Sequence, residues 1–335
     1  MEELHGIWKE LYQVALEIRD LAPWEFLWSE NKIAILLPGK EVPVYCNVLG
    51  KAGNCYGICV YHTVRGIYGA KWMEENNIPQ PQRSRYQECL VYYLGNREHL
   101  SARDRRLLSD LGLKFRGKNA WPYFRELEAN CLPSELTPEL AKLMVAVLRN
   151  LFMVVRALKE GRIACRFDRG EMLYRVYDEE RDGWRSYADK AAFPSIHYPQ
   201  ATISDELLLE RLRRTMFVED SLEIDLASLG IPAKGKQYSK PYYLRRCIFA
   251  DHDTGEIELN EPFLPGAQPL DLLVEGLVSW IELYQGRPEE IIVRDEELYV
   301  MMAGVCSQLD IPIFIDPQLE VVDQYVEQVL ADSEV

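Results

Sequence analysis

Two carboxylates stand where they could do chemistry. Asp295 follows the apolar run Ile291–Val293, and Asp316 follows Ile311–Ile315. Strand, helix, strand and helix with short connections between them predict a parallel strand pair joined by a right-handed crossover. Both aspartates would then emerge at the carboxyl edge of one sheet, where open α/β sheets place ligands. Such a pair could bind a divalent cation such as Mg²⁺ or act as acid and base. A plainer role is equally well supplied. Asp295 precedes Glu296-Glu297 and Asp316 precedes Pro317. An aspartate followed by acids or proline in a helix's first turn is a good N-cap, its oxygen accepting orphan backbone N–H groups. Capping is the expected role, the catalytic or metal-binding pair the alternative.

A second group has the makings of an anion site. Lys234, Lys236, Lys240, Arg245 and Arg246 are interleaved with Tyr238, Tyr242 and Tyr243, with no acid among them. Cations with aromatic rings grip phosphates and stack on bases. The segment lies in an acidic half of the chain, so pairing with neighbouring carboxylates is the expectation, and anion or nucleic-acid contact the alternative. Cysteines give less. Cys55 and Cys59, read as one strand, would be roughly 13 Å apart, too far to share a metal. With Cys46 on the preceding strand and His62 beyond, the second ligand pair of a zinc site is missing. These read as core thiols, and no metal or cofactor is indicated. The five histidines are scattered, and phosphate-loop, nucleophile-elbow, zincin and dinucleotide-binding motifs are absent.

The elements that must hold these groups follow from periodicity. Apolar residues at helical spacing predict helices over 4–18, 62–76, 137–159, 204–214, 270–284, 296–309 and 319–330, with a capped helix from Ser101 to Leu111. Strands are expected over 32–37, 42–49, 55–61, 88–94, 163–167, 172–177 and 184–187, with two or three more over 221–265. Thr137-Pro138 opens the long helix and Gly161 closes it, so a domain boundary is set there. One domain, α/β in character, covers 1–160. A second, 161–335, is strand-rich to 265 and ends in a βαβα element over 269–335. The fold class is α+β.

Charge is unevenly shared. The chain carries a net −15 over 335 residues. Residues 1–160 hold 21 basic and 19 acidic side chains, against 17 and 34 in the remainder. A strongly acidic half disfavours non-specific contact with nucleic acid or membranes. No apolar run of membrane-spanning length occurs, and the acidic start does not resemble a secretory leader. With eight cysteines in apolar stretches, a cytoplasmic setting is expected.

Pro23-Trp24, Gly50-x-x-Gly53-x-x-Tyr56-Gly57-x-x-Val60-Tyr61 and Pro288-x-x-Ile291-x-Val293-x-Asp295 together resemble an uncharacterised bacterial family. Its members pair two domains of unknown function: an α/β module carrying the Tyr-Gly-x-x-Val-Tyr strand, and a module ending in βαβα. The resemblance implies that fold pairing and carries no activity, substrate or cofactor. A non-catalytic binding or protein-interaction protein is therefore expected, its partner another protein. The alternatives are a metal-assisted enzyme using Asp295 and Asp316, and an anion or nucleic-acid contact through 234–246.

Overall fold

The structure, a computed structural model, describes residues 2–236, 238–260, 262–265, 267 and 269–333. The class is α+β, with helices on two mixed sheets. The chain forms two compact units.

The first unit comprises Met1–Ile67, Glu88–Leu127 and Pro133–Ser195. It begins with α1 (Glu2–Leu21), which buries Trp8, Leu11, Val14, Ala15 and Ile18 as one stripe. Pro23 stops the helix, and Ala22 turns into the left-handed region at φ 51°. Strands β1 (Ile33–Leu36), β2 (Val44–Leu49) and β3 (Tyr56–Tyr61) follow as an antiparallel meander; α2 (Val64–Glu75) begins here, but from Tyr68 onward it is counted with the second unit. β4 (Cys89–Gly95), α3 (Ala102–Asp110) and β5 (Trp121–Leu127) extend the same sheet and its cover. A reciprocal capping box between Ser101 and Asp104 opens α3. In α4 (Pro138–Lys159), Thr137 Oγ1 accepts from Leu140 N at 3.3 Å, and Gly161 (φ 69°) follows the C-cap.

β6 (Glu171–Asp178) and β7 (Gly183–Lys190) complete this first sheet, in the order β5-β4-β3-β2-β1-β6-β7. The unit therefore runs past residue 160, where the sequence reading divided the chain. The reason is pairing: β1 offers a free edge, and β6 fills it in parallel with Ile33 opposite Leu173. Ile163–Phe167, expected as a strand, is not one. Ile163, Cys165 and Phe167 do pack on the first core, but the segment finds no ladder partner. Ile163 N bonds instead to Ala157 O at the end of α4.

The second unit comprises Tyr68–Gln87, Glu128–Leu132 and Ile196–Val335. Its elements are a 3₁₀ turn over Gln80–Arg85, α5 (Glu206–Arg213), β8 (Met216–Ala233), β9 (Tyr242–Asp251) and β10 (Ile257–Leu259). α6 (Leu270–Tyr284), β11 (Gly286–Val293), α7 (Glu296–Leu309), β12 (Ile313–Ile315) and α8 (Glu320–Ser333) follow. The sheet order is β10-β9-β8-β11-β12. β11 pairs in parallel with β12 (Ile291 opposite Ile313), as the strand–helix alternation predicts, and also with β8 (Ile291 opposite Leu222). One face packs Leu222, Ile224 and Leu226 with α6 and α7 residues such as Leu277, Trp280 and Met302. The other packs Ala227, Leu229 and Ile248 against Val322 and Val326 of α8.

Candidate functional site

β8 reads Leu222-Glu-Ile-Asp-Leu-Ala, a strict alternation that ordinarily marks one wet face. Here both faces are covered. Leu222, Ile224 and Leu226 enter one core, and that turns Glu223 and Asp225 to the α8 side, where both are buried. A buried carboxylate must find partners, because desolvation without compensation costs several kcal/mol. The sequence supplies them from three distant places.

Arg294, at the end of β11, is wholly buried and donates through Nε to Asp225 Oδ2 at 2.6 Å. Its Nη2 reaches Asp323 Oδ1 of α8 at 2.7 Å, and Nη1 donates to Pro317 O at 2.8 Å. Arg85, from the 3₁₀ turn, donates through Nη1 to Asp225 Oδ1 at 2.6 Å. Its Nη2 lies 2.8 Å from Asp295 Oδ2, which also accepts from the Tyr86 hydroxyl at 2.7 Å. Asp295 Oδ1 meanwhile accepts from Leu298 N at 2.9 Å and caps α7. Three aspartates and two arginines thus form one largely buried chain of ion pairs.

Its electrostatics are uneven. Burial pushes the Asp225 carboxyl up, but Arg294 and Arg85 outweigh that, and it sits below its ordinary value. Asp323 has the shared Arg294 and one backbone donor, Leu319 N at 3.2 Å, and it faces Asp225. Burial therefore wins there, and its carboxyl lies above the usual value. Burial likewise lifts the Tyr86 hydroxyl well above the ordinary tyrosine range, so it remains a donor to Asp295.

Asp323 also lines a groove of about 510 Å³, with Glu223, Asp316, Glu320, Glu327 and His252 on its walls. Glu223 Oε2 accepts from Val321 N and Val322 N at 3.1 and 3.0 Å, at the start of α8. Its Oε1 lies 2.7 Å from His252 Nδ1. That hydrogen bond raises the histidine above the ordinary value of 6.5. Part of that acidity sits at the N-terminus of α8, where Glu320 and Asp323 lie in the first turn and complement the helix dipole.

The sequence-predicted residues fall differently. Asp295 caps α7 as expected, and both its oxygens are engaged, so a metal ion would have to displace Arg85 or Tyr86. Asp316 is exposed in the groove wall, with Oδ1 accepting from Gln318 N at 2.9 Å. In the basic segment, of which Gln237 lies outside the described residues, Lys234 and Lys236 are exposed. Lys240 pairs with Glu128 at 2.5 Å, and Tyr238 bonds the same carboxylate. Arg245 is buried over the Phe263 ring at 4.6 Å, and Arg246 is half-buried. Of the five, only Lys234 and Lys236 are exposed. The cysteines are all free. Cys55 is exposed at φ 49° just before β3, not on it. Cys46 packs in the first core, while Cys59 pairs opposite Asn47.

Sequence reasoning missed Arg85, Tyr86, Glu223, Asp225, Arg294 and Asp323. One signal was present, since Glu223, Asp225 and Arg294 are charges set within or at the end of apolar strands. Arg85 carried no such mark.

Among the described residues no helix is long and apolar enough to cross a membrane. Residues 8–175 match the family model described as domain of unknown function (DUF7309), and 208–330 match domain of unknown function (DUF6930). The first match ends inside β6, consistent with that strand's place in the first sheet. No curated protein and no solved structure matches the chain. The model matched over half its length places this chain in the family of the domain of unknown function DUF7309, here followed by a DUF6930 domain.

Proposed function

We propose that the protein is a non-catalytic binding protein whose second unit receives a lysine- or arginine-rich segment of another protein in its acidic groove. The observation that carries this is the groove's composition. Glu223, Asp316, Glu320, Asp323 and Glu327 line it, and His252 is its one basic side chain among the described residues. A single-sign cleft focuses field lines and raises the local concentration of oppositely charged partners. The buried charges of Glu223, Asp225 and Asp295 support binding over catalysis, because each of these carboxylates is already matched to an arginine, a hydroxyl or a helix end. Six buried, unbridged cysteines support a reducing, cytoplasmic setting.

Fluorescence anisotropy with a labelled oligolysine or oligoarginine peptide tests the reading. Binding is expected, and it should weaken steeply with added salt. In the triple charge reversal Asp316→Lys, Glu320→Lys, Glu327→Lys it should fall at least about tenfold, the loss of roughly 1.4 kcal/mol from rim charges. Equal binding by parent and variant, or none by either, would refute it.

A further inference from the structure

The turn joining β9 to β10 reads Asp251-His252-Asp253-Thr254-Gly255, and Gly255 is left-handed at φ 76°. It closes through Gly255 N to Asp251 O and Asp251 N to Glu256 O, both at 2.9 Å. Asp251 is 1% exposed. Its Oδ1 accepts from Asp253 N and Thr254 N at 2.9 and 2.8 Å, which accounts for that oxygen. Its Oδ2 is sealed from solvent and accepts no hydrogen bond. A buried carboxylate oxygen without a donor is costly, and in native proteins such an atom signals a partner such as an ion.

Two more carboxylates come to the same place. β8 runs antiparallel to β9 with Leu222 opposite Asp251, and His252 N donates to Ser221 O at 2.9 Å. This register brings Asp220 of β8 beside the turn. Asp220, Asp251 and Asp253 each present a carboxylate oxygen within 4.8 Å of the others. Among the described residues no lysine or arginine forms an ion pair with any of them. Burial, together with the charges of Asp251, Asp253 and Glu219, pushes the Asp220 carboxyl above its ordinary value.

We infer that Asp220, Asp251 and Asp253 hold one divalent cation of the Ca²⁺ type, with Asp251 Oδ2 as its buried ligand. Oxygen-only ligands select a hard cation. Carboxylates of unequal exposure with room for water suit the irregular, many-oxygen shell of Ca²⁺ better than the near-ideal octahedron that Mg²⁺ demands. Asp253 is exposed and Asp220 partly so, which leaves coordination positions open to water. The groove's carboxylates take no part, so this inference stands or falls apart from the proposed binding role.

Isothermal titration of the full, chelator-treated chain with CaCl₂ is the test. One ion per chain is expected, with Kd on the order of 10⁻⁴–10⁻³ M for a site of few charges, and Tm should rise with Ca²⁺. Asp251→Asn keeps the Oδ1 acceptor of the turn and should fold. Asp253→Asn changes an exposed side chain and carries the test if the first variant does not fold. Each should weaken Ca²⁺ binding at least about tenfold by removing one ligand charge. No heat and no Tm shift up to about 10 mM Ca²⁺, tighter binding of Mg²⁺ than of Ca²⁺, or unchanged affinity in either folded variant would overturn the inference.

Discussion

Asp225 owes its low-lying carboxyl to two arginines that reach it from residues 85 and 294. Such an arrangement is asymmetric in its energetics. Replacing a whole buried ion network by apolar groups can be neutral, whereas removing one member leaves a bare charge behind. Arg294→Met would leave Asp225 with Arg85 alone and remove Arg294, the arginine paired with Asp323. Its cost should be about 3–5 kcal/mol, read from urea unfolding at neutral pH. A loss below about 1 kcal/mol would show that Arg85 and solvent suffice, and that the chain of charges is not what holds the strand ends.

At the level of elements, the start of α8 is fastened to the β9–β10 turn through one side chain. Glu223 accepts from two amides of α8 with one oxygen and faces His252 with the other. A carboxylate there complements the helix's positive end. His252 is raised above 6.5 by that hydrogen bond first, against opposing burial. The contribution to stability is therefore fully present below pH 6.5 and lost as pH rises through the higher folded value. Thermal melts from about pH 5.5 to 9 should show this decline in the parent and its absence in His252→Gln. A parent profile parallel to that of the variant would show that the pairing carries no linkage.

For the molecule as a whole, neither unit is a continuous stretch of chain. β6 completes the sheet begun by β1, and Arg85 completes the charges of Asp225 and Asp295. Cutting at residue 160, where Gly161 ends α4, would strip β1 of its parallel partner. It would also leave Asp295 without its arginine. Neither 1–160 nor 161–335 should give a dispersed NMR spectrum or a cooperative melt when expressed alone, whereas the full chain should give both. A well-folded fragment from either side would overturn this view of the units.

Local physics wrote much of this protein openly into its residues. Thr137-Pro138, the Ser101 box, Gly161 and Asp295 mark helix ends whose hydrogen bonds lie within a few residues, and α6 and α7 follow their apolar spacing with no outside help. The parallel pairing of β11 with β12 was legible for the same reason, a short strand–helix–strand connection. What lay beyond reach was every feature set by partners far apart in sequence. Ile163–Phe167 alternates like a strand and lacks only a neighbour to pair with. Glu223 and Asp225 read as a solvated face until α8 covers them. Arg85 has no local mark at all, because its role is defined by Asp225, 140 residues onward. Spacing along the chain specifies bonds that close locally. Which charges are buried together depends on which elements pack, and that only the tertiary structure decides.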